Sequence, residues 1–233
     1  MLRVSEHVER TDKGRQRKAN EDAYFARSPL FAVADGMGGA QAGEVASGLA
    51  VEVLEEGLPD GPGSVEERLA ERVREANRRI NELSRADDQR AGMGTTLTAV
   101  YVGETELTVV HVGDSRLYRL RDGRFERLTD DHSLVEELVR QGRLTPQEAD
   151  EHPQRSIITR ALGPEAGVEP DSRTWPAAAT TSPSFSSASR TSSRPTPAPR
   201  GWVGSNPSRR RRPARRPPAR RTCAQRARRP SRR

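Results

Sequence analysis

One cysteine, Cys223, occurs in 233 residues, and it sits near the C-terminal end. A disulfide framework, a thiolate metal cage and a cysteine nucleophile are therefore excluded from residues 1–171. The sequence has no run of 18 apolar residues and no charged-then-apolar leader, so neither a membrane span nor a secretory signal is expected. A cytoplasmic location follows as the default. Acids are lacking after Asp171: Ser172 to Arg233 holds 17 Arg, no Lys and no Asp or Glu. The formal charge of +7 thus belongs to that stretch, and residues 1–171 carry −10. An acidic front part shows no nucleic-acid footprint, and its chemistry is left to oxygen ligands, His or Ser.

The stretch 172–233 also has 10 of the 17 Pro, both Trp and almost no Leu, Ile or Val. It cannot bury a core and reads as a disordered Arg/Pro/Ser/Ala-rich tail. The abrupt change near Trp175 is of the kind that a GC-rich gene gives when read out of frame, and a frame slip there is the expectation.

Residues 1–171 alternate strand and helix patterns. Ala23–Ala26 and Leu30–Ala34 read as two short strands joined at Arg27–Pro29. Gly36–Gly43 is glycine-rich and reads as a loop. Val45, Ala46, Leu49, Val53 and Leu54 recur at helical spacing within Glu44–Glu56. A longer amphipathic helix starts at Ser64 and carries Leu69, Val73, Ala76, Ile80 and Leu83, ending before Ser84–Ala91. The period then changes from helical to alternating. Thr95–Val102, Glu106–Val112, Arg116–Leu120 and Arg124–Leu128 read as an antiparallel meander. Short helices are expected at Ser133–Gln141 and Pro146–Ala149, with Ser133 as a cap and Thr145 ahead of Pro146. The class is α+β, with helices packed on a sheet or sandwich.

Acids fall beside strand ends and turns at Glu21-Asp22, Asp35, Asp114 and Asp130-Asp131. Antiparallel pairing of the first two strands brings Asp22 and Asp35 together. Clustered carboxylates beside a Gly-rich turn suit a hard cation such as Mg²⁺ or Mn²⁺, and Gly36, Gly38 and Gly39 let the backbone approach it. Turns attract acids for local hydrogen bonding as well, so each taken singly has a structural reading. Arg17, four residues before Glu21, suits a phosphate gripped by two donors, or is a solvated loop charge. His132 is an acid/base candidate or a helix-start residue; His111 between two valines reads as a satisfied structural histidine. Ser115 and Ser133 lack His-Asp partners in order, so a hydrolase triad is weak.

Arg17-Lys18-Ala19-Asn20-Glu21-Asp22, Ala34-Asp35-Gly36-Met37-Gly38-Gly39, Gly92-Met93-Gly94-Thr95-Thr96-Leu97, Val112-Gly113-Asp114-Ser115-Arg116 and Asp131-His132-Ser133-Leu134-Val135 occur in that order. His152-Pro153 and Thr159-Arg160-Ala161-Leu162-Gly163 follow. Together they resemble the bacterial metal-dependent serine/threonine protein phosphatases of the PPM, or type 2C, family. The resemblance implies a four-layer α/β/β/α sandwich of two antiparallel sheets. It also implies hydrolysis of phosphoserine and phosphothreonine at a binuclear Mn²⁺ or Mg²⁺ centre. By it, Asp35 bridges the ions, Gly36 ligates through its carbonyl, Glu21 and Asp22 support the water shell, Asp114 helps hold a third ion, and Arg17 binds the phosphoryl group. Met37 stands where animal relatives have a His. Two late ligands of the family, in Ser-Asp-Gly and Asp-Asn segments, have no counterpart here. The expected organisation is a partial domain over 1–171 and a tail over 172–233.

The partners implied are phosphorylated proteins made by a serine/threonine kinase, met by a monomer without a membrane span or specific nucleic acid. Two other classes stand beside this one. One is a regulatory pseudo-phosphatase that binds phosphoproteins without turnover; the other is a polyanion binder acting through the Arg-rich tail.

Overall fold

The computed structural model describes residues 1–15, 19–176 and 184–188. Strand β1 (Asp22–Arg27) turns at Ser28-Pro29 into β2 (Leu30–Met37), and helices α1 (Ala40–Glu55) and α2 (Val65–Ala86) follow. Next come β3 (Gly94–Thr95), β4 (Leu97–Val102), β5 (Glu106–Val112), β6 (Arg116–Arg121) and β7 (Arg124–Arg127). Helices α3 (Leu134–Arg140) and α4 (Pro146–Glu151) precede β8 (Asp171–Pro176) and β9 (Ser184–Ala188). The strands form two antiparallel sheets, ordered β1-β2-β4-β5-β8, with β3 on β2, and β7-β6-β9. Helices flank them.

The period-2 pattern decides which face of the large sheet is dry. Leu30, Ala32 and Ala34 of β2, Leu97 and Ala99 of β4, and Val110 and Val112 of β5 share one core with Ala46, Ala50, Val53 and Leu54 of α1 and Leu69, Val73, Ala76 and Ile80 of α2. Alternate residues of the same strands, Val100, Leu107 and Val109, meet Leu117 of β6 and form a second, smaller core. Helix α2 begins with a reciprocal cap. The Ser64 hydroxyl accepts from the Glu67 N–H, and the Glu67 carboxylate accepts from the Ser64 N–H. Thr145 and Glu148 repeat that device at α4, where Pro146 supplies the first turn.

Five local expectations are corrected. Gly36–Gly43 is not a loop: β2 runs to Met37 and α1 starts at Ala40. A Cβ on Gly36 would lie 2.1 Å from the Gly43 carbonyl oxygen, so the glycines serve close strand-to-helix packing. Helix α2 continues through Ala86, because the Ser84 hydroxyl donates to the Arg90 carbonyl and ties the helix end to the next turn. Thr95–Val102 divides at Thr96, with β3 and β4 both pairing with β2. The meander is two hairpins in different sheets, since the chain passes from one sheet to the other at Gly113–Ser115. Strands β8 and β9 pair with β5 and β6, which carries the fold past the compositional boundary after Asp171 as far as Ala188.

Candidate metal centre

The hairpin register sets Asp22 directly across from Asp35. Residues so opposed have Cβ atoms about 4.5–5.5 Å apart. The Gly36 N–H donates to the Glu21 carbonyl at 3.1 Å, and the Ser47 hydroxyl of α1 donates to the same carbonyl at 2.6 Å. The Glu21 carboxylate lies against Gly43, where an added Cβ would stand 2.8 Å from Oε2. Glu21, Asp22, Asp35 and Gly36 therefore converge at the junction of β1, β2 and α1. Asp35 is 7 % exposed and Asp114 6 %.

Asp114 belongs to the sheet-crossing turn after β5, which Thr96 joins to the Asp35 strand end. The Asp35 N–H donates to Thr96 Oγ1 at 2.9 Å, and the Thr96 N–H donates back to the Asp35 carbonyl at 2.9 Å. Thr96 Oγ1 is also 2.7 Å from Ser115 Oγ. Arg17 lies outside the described residues.

The donor set consists of carboxylates and main-chain carbonyls, the chemistry that hard divalent cations select. Asp22 Oδ1 is buried without a hydrogen-bond partner, and an orphaned carboxylate oxygen facing another acid is costly unless a cation compensates it. Gly36 provides a cradle that a side chain would fill. These features fit a cation. Among the described residues, however, no group of three or more His, Cys, Asp or Glu side chains is arranged to hold one. The fit rests on a carboxylate pair with main-chain oxygens.

The histidines are structural supports. His111, 2 % exposed, has Nδ1 2.9 Å from the Thr98 hydroxyl and Nε2 3.1 Å from the Asp130 carbonyl. Burial, aided by the neighbouring His132, pushes its pKa down to about 4. His132 accepts the Gly113 N–H at Nδ1, so its proton resides on Nε2, 3.2 Å from Asp171 Oδ2. Burial lowers its pKa too, against the opposing pull of Asp171. Asp171 in turn binds Arg160 at 2.6 Å. Folded-state pKa values below 6.5 mean that acid favours the unfolded chain, which takes up protons first. The histidine contribution to stability is therefore full above about pH 6.5 and falls toward pH 4, with His111 accounting for a loss of about 2–3 kcal/mol by pH 4.5. Urea midpoints measured from pH 7.5 to 4.5 are expected to drop accordingly, and to drop less in His111→Gln.

Two groups of residues support the site: the first carries no signal in a single sequence, and the second includes Asp131, an acid that the sequence offers as a cation ligand and that the structure pairs with an arginine instead. The Asn77 side chain donates to the Glu165 and Ala166 carbonyls and accepts the Gly163 N–H. Asn81 donates to the Gly163 carbonyl at 2.7 Å. They fix the loop whose Leu162 exchanges both main-chain bonds with Thr95, at 3.0 and 2.9 Å. The second group is the paired Asp131 and Arg116, whose three contacts span 2.6 to 3.0 Å.

A family model described as protein phosphatase 2C matches residues 12–166. The chain is 46% identical over 160 residues to the serine/threonine protein phosphatase PstP of Mycobacterium tuberculosis, covering 68% of this chain and 31% of that protein. It is 40% identical over 176 residues to the serine/threonine phosphatase stp of Listeria welshimeri, covering 71% of this chain and 70% of that protein. A crystal structure of the catalytic domain of PstP in complex with two manganese ions superposes with a TM-score of 0.67 at 39% identity, covering 76% of this chain and 73% of that one. The chain thus spans about a third of PstP and about two thirds of the Listeria protein. Its two antiparallel sheets flanked by helices are the architecture of that solved domain. On these grounds the chain belongs to the protein phosphatase 2C family of metal-dependent serine/threonine phosphatases.

Proposed function

We propose that this protein hydrolyses phosphoserine and phosphothreonine in proteins phosphorylated by a serine/threonine kinase, using two Mn²⁺ or Mg²⁺ ions and a weaker third. The observation that carries this is the buried, unpartnered Asp22 Oδ1 across the hairpin from Asp35, beside the Gly36 cradle. Asp35 and the Gly36 carbonyl hold the ions, Glu21 and Asp22 order the surrounding water, and Asp114 serves the third position. Divalent ions there supply charge neutralisation at phosphorus and a water acidified toward neutrality. Arg17 grips two phosphoryl oxygens and orients the phosphorus. The burial of Asp35 and its main-chain bonds to Thr96 keep the carboxylate in one place, so little reorganisation is needed during reaction. The protein acts as a monomer in the cytoplasm, its catalytic residues lie within 1–171, and the Arg-rich sequence of 172–233 is the product of a frame slip. No helix of the described residues is long and apolar enough to cross a membrane.

A second reading, a phosphoprotein-binding pseudo-phosphatase, is favoured by one observation. No Asp, Glu or His follows Asp171, and Asp171 itself is engaged by Arg160 and His132. Hydrolysis of p-nitrophenyl phosphate by the full chain, with and without Mn²⁺, separates the readings. Manganese-dependent turnover is expected. Phosphopeptide binding that is lost in Arg17→Ala, with no turnover at any Mn²⁺ concentration, would replace the first reading with the second.

A further inference from the structure

Thr96 stands between the two acid-bearing turns and makes a different contact with each. Its hydroxyl oxygen accepts the Asp35 N–H, and its own N–H returns a bond to the Asp35 carbonyl. On its other side the same oxygen is 2.7 Å from Ser115 Oγ, next to Asp114. Its Cβ and methyl group fill the space over Gly113, where an added Cβ would lie 2.6 Å from either atom. Gly113 also has a φ of 108°, so the turn is held in a backbone conformation that suits glycine and that leaves Thr96 room. Thr96 is 1 % exposed and Ser115 0 %, so water cannot substitute for either hydroxyl.

We propose that the Thr96–Ser115 hydroxyl pair couples the Asp35 turn to the Asp114 turn, so that ordering one carboxylate orders the other. Thr96 and Ser115 are then positioning residues, acting through the acids and not on phosphate. The inference rests on the reading that these acids hold divalent ions, and its consequence is cooperative uptake at the Asp35 and Asp114 positions. A buried hydroxyl pair broken from one side leaves the other partner unsatisfied in a dry setting, a loss equivalent to roughly a tenfold change in an equilibrium constant. Thr96→Val keeps the β-branched shape over Gly113 and removes the acceptor of the Asp35 N–H. Ser115→Ala removes only the link between the turns and leaves the Asp35–Thr96 bond intact.

The experiment uses the full chain and two readouts. Calorimetric titration with Mn²⁺ is expected to show binding about tenfold weaker in Thr96→Val and about threefold to tenfold weaker in Ser115→Ala, with recovery to within about threefold of the native protein in Thr96→Ser. The double variant Thr96→Val/Ser115→Ala is expected to bind as Thr96→Val does, because both changes cut one connection. Additive losses, or Ser115→Ala binding like the native chain, overturn the coupling. Amide hydrogen exchange without metal supplies the second readout. Thr96→Val should accelerate exchange across 113–116, and Ser115→Ala should accelerate it at Asp35, while the β6–β7 hairpin is unchanged. Acceleration confined to the substituted turn overturns the coupling even if the protein folds normally. Native protein that takes up no Mn²⁺ overturns the proposed function, and hydrogen exchange then decides the coupling by itself.

Discussion

Asp35→Ala is expected to lower manganese-dependent phosphatase activity by about three orders of magnitude, the scale of losing a main electrostatic contributor to a transition state. The position explains the size. Asp35 closes β2, opposes Asp22 in register and is fixed through its main chain by Thr96. Asp22 and Asp114 are held on other segments, the paired strand and the turn that Ser115 links to Thr96. The fold should survive, since the main-chain bonds of residue 35 do not depend on its side chain. Steady-state assays over a Mn²⁺ series, with circular dichroism as the control for folding, check this. Activity within tenfold of the native chain would remove Asp35 from the centre of the proposed mechanism.

Asp131→Ala is expected to destabilise the fold by about 3–5 kcal/mol, the usual cost of breaking a buried ion pair from one side. Asp131 is 1 % exposed, and Arg116 meets it through both Nε and Nη2. Arg127, whose Nη1 is 3.7 Å from Asp131 Oδ1, loses a second anchor at the same time. Replacing both partners, as Arg116→Met/Asp131→Leu, should recover most of the loss, because the desolvation of two charges disappears with their attraction. Urea unfolding of the three proteins at pH 7.5 tests it. A single variant within about 1 kcal/mol of the native protein would contradict the role assigned to the pair.

Much of this was legible residue by residue. Glu106–Val112 is read with its observed limits, because an apolar, β-branched run is bounded on both sides by turn residues. The cap at Ser133 and the Thr145-Pro146 start are likewise local chemistry. The pairing of Asp22 with Asp35 follows from a short hairpin, where strand ends must meet. What fails is information carried by the third dimension. Glycines at 36 and 43 signal a loop by composition, yet they are there because a strand and a helix touch. Alternation continues through β5 and β6, so nothing local shows that the two strands lie in different sheets. Asn77 and Asn81 look like the polar face of an amphipathic helix. They are buried because the Gly163 loop, 86 and 82 residues away, supplies their partners.

That long reach has a kinetic meaning for the site. The Asp35–Thr96 bond spans 61 positions, whereas the β4–β5 and β6–β7 hairpins close over a few residues. Closing a long loop costs more entropy than closing a short one, and contacts of high sequence separation slow folding. The β1–β2 hairpin that opposes Asp22 and Asp35 can therefore form on its own, while Asp114 reaches that strand end only once β4 and β5 have docked on β2. The centre is thus joined from a local half and a distant half, and a variant that weakens the docking of β4 on β2 is expected to lose cation binding while its hairpins persist.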